Sequence, residues 1–156
     1  MPAVLFVCTG NICRSPTAEG VFRRLVREAG LDESIRVDSA ATHDYHVGEP
    51  PDERARRHAL RRGYDLSALR ARRVSERDFE EFDLIVAMDA GHLHILQRMC
   101  PRENRHKLRL IMEFAPELRA DEVPDPYYGD PAEFEQMLDL VEAAARGLLR
   151  TLSAKA

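Results

Sequence analysis

The chain reads as an α/β domain with a central four-stranded parallel sheet covered by helices on both faces. Three observations lead there. Short apolar runs alternate with stretches of helical periodicity, the first run (Val4 to Val7) is continuously apolar as a doubly buried strand requires, and no repeat, low-complexity segment or linker divides the sequence. A length of 156 residues suits one domain, 1–156, long enough to bury most of the surface exposed by the unfolded chain.

Val4 to Val7 is the first expected strand. Ala18, Val21, Phe22, Leu25 and Val26 then recur at helical spacing until Gly30, with Ser15 as expected N-cap and Pro16 as N1. Ile35 to Ser39 suits a second strand, and Pro51 to Arg62 a charged helix stopped by Gly63. A short helix capped by Ser75 should precede the third strand, Leu84 to Ala87, and residues 90–98 should continue as helix. Lys107 to Met112 alternates as a fourth strand would. Pro131 to about Leu152 aligns Phe134, Leu138, Val141, Leu148 and Leu149 on one side of a closing helix.

Between the first strand and the first helix stands Cys8-Thr9-Gly10-Asn11-Ile12-Cys13-Arg14-Ser15-Pro16. Cys8 and Arg14 bracket five residues, so a loop curling between them can aim backbone N–H groups at an anion while Arg14 closes the ring with a bidentate grip. Gly10 and Asn11 tolerate the positive φ that such a curl needs. The positive end of the following helix favours both the anion and a Cys8 thiolate, the form that is nucleophilic toward phosphorus. The plainer reading of Cys8 is a buried cysteine at a strand end. Cys13 fits either core packing or a thiol near enough to Cys8 for a reversible disulfide.

A leaving oxygen needs a proton, and Asp125, stiffened between Pro124 and Pro126, can supply one or can serve only as a turn aspartate. Asp130, before Pro131, reads as a helix cap. Tyr127 and Tyr128 can wall a slot for an aryl phosphate or pack under the last helix.

Lysine and arginine number 23 against 27 aspartate and glutamate, a net charge of −4 that argues against a general nucleic-acid binder. The arginines between 54 and 62 and between 70 and 73 read best as solvated faces. No apolar run approaches a membrane span, no signal-peptide pattern follows Met1, and three cysteines make no disulfide framework. A cytoplasmic protein is expected. Neither the cysteines nor the six histidines have the spacing of a metal site.

The loop resembles that of the low-molecular-weight protein tyrosine phosphatases. Four further stretches continue the resemblance in the same order: Val37 to Ala40, His46 to Asp52, Phe82 to Asp89, and Asp125 to Asp130. It implies a flavodoxin-like fold of the phosphotyrosine protein phosphatase I type and a cofactor-free hydrolase. Cys8 would attack phosphorus, Arg14 bind its oxygens and Asp125 serve as acid and then base. Thr9, Gly10, Asn11, Ile12, Cys13 and Ser15 would form the binding loop, with Asn11 and Ser39 helping to hold it. Tyr45, Tyr127 and Tyr128 would flank the substrate, Tyr45 standing where tryptophan is usual.

Ala41 and Leu69 also depart from the pattern, replacing a frequent glycine and a frequent loop-bracing histidine. The implied partner is a tyrosine-phosphorylated protein, such as a bacterial tyrosine kinase or a polysaccharide-export protein, with the enzyme a monomer or weak dimer. Protein-arginine phosphatases tend to carry threonine where Ile12 stands and lack the paired tyrosines, and arsenate reductases need two downstream cysteines where this chain has only Cys100. A non-catalytic phosphate-binding module would need neither Cys8 nor Asp125.

Overall fold

The computed structural model describes residues 2–154. Strand β1 (Ala3–Cys8) is followed by helix α1 (Arg14–Glu28), β2 (Arg36–Ala41), α2 (Glu53–Arg61), α3 (Asp78–Glu81), β3 (Leu84–Ala87), α4 (Ala90–Met99), β4 (Leu108–Leu110) and α5 (Pro131–Ala154). All strands pair in parallel in the order β2-β1-β3-β4, giving the expected single α/β domain. The chain leaves β1 for β2 on one side and later returns to β3 on the other, so the carboxyl end of β1 lies where the strand order reverses. In open parallel sheets this crevice is where ligands bind.

Period-two alternation along β1 divides the core. Val4, Phe6 and Cys8 face one cluster with α1 and α5, while Ala3, Leu5 and Val7 face the other with Phe79, Phe82 and Leu96. Phe6 meets Phe22 of α1 edge to face, their centroids 5.8 Å apart. The register pairs Phe6 with Ser39, which puts the Ser39 hydroxyl on the same side of the sheet as Cys8. Gly147 lets α5 approach closely, since a Cβ there would sit 1.7 Å from the Phe114 carbonyl oxygen.

Three local expectations are corrected. Helix α1 begins at Arg14 with Cys13 at its N-cap and no capping side chain, because the Ser15 hydroxyl is drawn into the loop instead. The fourth strand stops at Leu110. There the Glu113 carboxylate accepts the Leu110 N–H, and residues 111–114 tighten into a 3-10 turn. Before α3, Ser75 contributes its backbone: its N–H donates to Asp78 and its carbonyl accepts from the Asp78 N–H.

Part of the arginine cluster also turns inward. Arg62 of the α2 end pairs with Glu135, Asp139 and Glu142 of α5, and Arg72 with Asp38 and Asp78. No helix is long and apolar enough to cross a membrane among the described residues.

Candidate active site

An open cleft of about 250 Å³ lies at the carboxyl end of β1, floored by Cys8, Thr9, Gly10, Ile12, Cys13 and Arg14. Tyr45, His46, Asp125, Tyr127 and Tyr128 form its walls. The loop carbonyls are tied away from it. Those of Cys8, Thr9, Ile12 and Cys13 accept the backbone N–H groups of Thr42, His43, Asp52 and Thr17. In a trans peptide the N–H points opposite the C=O, so the N–H groups of Thr9, Gly10, Cys13 and Arg14 turn toward the inside of the loop. With no acidic side chain in the first turn of α1, this is an anion cradle at a helix N-terminus.

Asn11 bends the loop at φ 58° and makes three hydrogen bonds with one side chain. Its Nδ2 donates to Ser15 Oγ at 2.8 Å and to Ser39 Oγ at 2.9 Å, and its Oδ1 accepts the Arg72 N–H at 3.1 Å. Both serine oxygens thereby accept a hydrogen bond from Asn11, and each must direct its own hydroxyl proton elsewhere. Ser39 gives its proton to Glu19 Oε1 at 2.7 Å. Ser15 Oγ lies 3.0 Å from Cys8 Sγ, and the Ser15 N–H also points at the sulfur, at 3.4 Å. Two donors therefore face Cys8, as a thiolate or a departing sulfur requires.

Asn11 and Ser15 do not line the cleft. Their side chains are buried behind the loop, where they support it. Gly10 lacks the positive φ the sequence suggested. It serves a close approach instead, since a Cβ there would lie 2.9 Å from the His46 ring. Cys13 is buried, and burial raises its pKa well above the usual thiol range. Leu69 packs against the core, while the amide of Arg72 and the chain from Glu19 through Ser39 brace Asn11.

Arg14 is 4% exposed and holds a defined orientation. Its Nη1 donates to Asp89 Oδ2 at 2.8 Å and to the Val123 carbonyl at 3.0 Å, and its Nη2 contacts His92 Nε2 at 3.4 Å. Nε has no hydrogen-bond partner among the described residues and one of the two Nη2 protons remains beside the long His92 contact, which leaves the side-on Nε and Nη2 edge for a bidentate phosphate grip. Asp89 also caps α4 through the His92 N–H. Burial works to raise the Asp89 pKa, but the His92 backbone bond and Arg14 outweigh it and hold the carboxyl below its ordinary value.

Asp125 forms the turn that one of its sequence readings expected, and its other carboxylate oxygen faces the cleft. Oδ1 accepts the Tyr127 N–H at 3.1 Å in a turn, while Oδ2 faces Arg14 Nη2 at 3.7 Å across the cleft. Val123 sets that position, because its N–H is anchored to the Met88 carbonyl just after β3. The adjacent tyrosines differ. Tyr127 is partly buried under Arg54, which donates to its carbonyl at 2.8 Å, whereas Tyr128 is 95% exposed. Tyr45 stands 66% exposed and stacks on His43.

Sequence reasoning missed Glu19, Arg54, Asp89 and His92. Glu19 left a trace, as an acid on the apolar stripe of a helix beside Phe22 and Val26. Its burial raises its pKa against the pull of Ser39 and Arg23. Among the described residues no group of three or more His, Cys, Asp or Glu side chains could hold a metal ion.

A family model described as low molecular weight phosphotyrosine protein phosphatase matches residues 3–156. The chain is 47% identical over 149 residues to a low molecular weight protein-tyrosine-phosphatase of Streptomyces coelicolor, covering 94% of this chain and 90% of the relative. It is 40% identical to the low molecular weight phosphotyrosine protein phosphatase of Homo sapiens, with coverage of 94% and 93%. In structure it is similar to a protein tyrosine phosphatase from Entamoeba histolytica with Hepes in its active site, with a TM-score of 0.96 at 37% identity and 99% coverage of both chains.

Proposed function

The chain belongs to the low molecular weight phosphotyrosine protein phosphatase family, and on that premise we propose that it hydrolyses phosphotyrosine and small aryl phosphates through a phosphocysteine on Cys8. The observation that carries this reading is the convergence on one cleft of Cys8 Sγ, 3.0 Å from Ser15 Oγ, and of Arg14, 3.7 Å from Asp125.

In the first step the Cys8 thiolate attacks phosphorus. The S–P bond forms as the P–O bond to the tyrosine breaks, and Asp125 delivers its proton to the departing phenolic oxygen. The Nε and Nη2 donors of Arg14 and the loop N–H groups hold the equatorial oxygens, where charge spreads in the transition state. Water then attacks the phosphocysteine, Asp125 takes its proton, and the sulfur leaves toward the Ser15 hydroxyl and amide. No cofactor enters either step.

Ile12, Tyr45, Tyr127 and Tyr128 would accommodate the aromatic ring. The natural partner in this reading is a tyrosine-phosphorylated protein, for which a tyrosine kinase and a polysaccharide-export protein are candidates. Three free thiols, two of them in the loop, fit action in a reducing cytoplasm, and the enzyme in this reading is a monomer or weak dimer.

The test compares kcat/KM for a phosphotyrosine peptide and a phosphoarginine peptide, with Cys8→Ser as the blank. A phosphotyrosine preference is expected. Preference for phosphoarginine would overturn the aryl slot, and hydrolysis of neither would leave a phosphate-binding module.

A further inference from the structure

Neither step of the proposed reaction uses His92, although this imidazole is 3% exposed and sits against Thr9 and Arg14 of the phosphate cradle. It lies on the first turn of α4 and touches three polar neighbours. Nε2 is 2.8 Å from Thr9 Oγ1 and 3.4 Å from Arg14 Nη2, and Nδ1 faces Asp89 Oδ1 at 3.1 Å, too bent for a full hydrogen bond.

Those neighbours select one tautomer. A proton on Nε2 could be donated to the Thr9 hydroxyl, but it would crowd the Arg14 guanidinium, which can only donate, and would leave the Nδ1 lone pair facing the Asp89 carboxylate. A proton on Nδ1 faces the Asp89 carboxylate and frees the Nε2 lone pair to accept from the Thr9 hydroxyl and from Arg14. The charge state follows the same logic. Burial and then Arg14 push the His92 pKa down to about 4, with His43 acting in the same sense and Asp89 and Asp125 pulling the other way.

We infer that His92, as the neutral Nδ1–H tautomer, is a positioning residue that pins Arg14 Nη2 and the Thr9 hydroxyl so that the free edge of Arg14 faces the phosphate. This rests on the phosphatase reading for its kinetic consequences but not for its structural ones. Asp89 and Val123 hold only Nη1, and a guanidinium fixed at one nitrogen can still tilt its opposite edge. The Nε2 contact fixes that edge from behind. Substrate and transition state both use this edge, so its loss acts on phosphate binding irrespective of the leaving group.

The experiment compares His92→Phe, which keeps the flat ring and removes the acceptor, with His92→Gln, whose Oε1 reaches the place of Nε2. Inorganic phosphate and vanadate serve as probes of the cradle by direct titration, and phenyl and p-nitrophenyl phosphate report turnover. His92→Phe should weaken both anions about tenfold or more and lower kcat/KM by about 10- to 100-fold, equally for the two esters. His92→Gln should stay within about threefold of the wild type in each.

Anion binding unchanged in His92→Phe would overturn the inference, as would His92→Gln failing as badly as His92→Phe. Phosphatase activity absent from the wild type would count against the proposed function alone, since anion titration still tests His92. Should His92→Phe fail to fold, long-range 1H–15N spectra of the wild-type ring decide the question. A neutral Nδ1–H ring at pH 7 supports the inference, and a protonated or Nε2–H ring refutes it.

Discussion

The floor of the cleft and its rim are built in different ways. Cys8 and Arg14 on the floor, and Asn11, Ser15 and Ser39 directly beneath it, are all buried, and almost every polar atom has a partner supplied by another element: β2 through Ser39, α1 through Glu19, the end of β3 through Asp89, α4 through His92. At the rim Tyr45 and Tyr128 stand in solvent, and Asp125 is half exposed on a loop held by Val123 and Arg54. The contrast follows from the chemistry each part would perform. A phosphoryl group is the same in every substrate and rewards rigid, preorganised dipoles, whereas leaving groups differ and need a wall that admits them. Floor variants should therefore penalise all substrates alike, and rim variants should discriminate among them.

Cys8→Ser should abolish turnover on every substrate while circular dichroism and thermal melting stay near those of the parent, since serine fits the same buried space. Residual turnover that survives this change would remove the floor from the chemistry altogether. Next in size, Asp125→Ala should slow phenyl phosphate by about 10²- to 10⁴-fold while sparing p-nitrophenyl phosphate, whose phenolate leaves without help. Equal losses for both esters would assign Asp125 to the floor's class of effect and cancel its role as acid.

Arg14→Lys should lower kcat/KM by about 10²- to 10³-fold for good and poor leaving groups alike, because an ammonium cannot reproduce the side-on fork. A loss confined to one class of ester would break the comparison from the other side.

Acid sensitivity of folding belongs to the floor as well. His92 has a native pKa of about 4 against an ordinary 6.5, so the unfolded state takes up a proton that the native state refuses. Its contribution is fully present above pH 6.5 and is lost as the pH falls toward 4, by up to about 3 kcal/mol. Glu19, raised by burial, acts in the opposite sense, so the informative quantity is a difference between proteins. Urea midpoints of the wild type should drop more between pH 7 and pH 4.5 than those of His92→Gln, and parallel drops would contradict the assignment. The smallest effect is that of Ser39→Ala, which should reduce kcat by about fivefold through a loosened Asn11, with no dependence on the leaving group.

The legibility of the site follows the same division. Cys8, Arg14 and the left-handed Asn11 could be read from one decapeptide, since a strand, a turn and a helix start are local events with local residue preferences. Asp125 and the tyrosines were readable only as candidates, since Asp-Pro is ordinary in a turn and gains meaning from the Cys8 loop elsewhere in the chain, while two adjacent aromatics on a loop are costly to expose. Ser15 misled for a physical reason. Ser-Pro at a helix start normally caps it, but here a sulfur lies 3.0 Å away and Asn11 donates to the same hydroxyl. Glu19, Asp89 and His92 stayed hidden because a carboxylate or imidazole on a helix has no local signature of what a distant strand or loop will bring against it.

Hydrophobic periodicity and turn chemistry specified the order of elements and the local form of the loop between β1 and α1, because these depend on interactions within a few residues, and the alternation of strand with helix pointed to a parallel sheet although its pairings, such as Val4 with Leu84, are long-range. The packing of β2, α4 and the 123–130 loop around that loop decided how Asn11 is braced, which edge of Arg14 is free and which histidine stays uncharged. Those outcomes depend on burial and on partners 20 to 109 residues away along the chain, from Glu19 with Ser39 to Arg14 with Val123, and such distances become contacts only in the folded state.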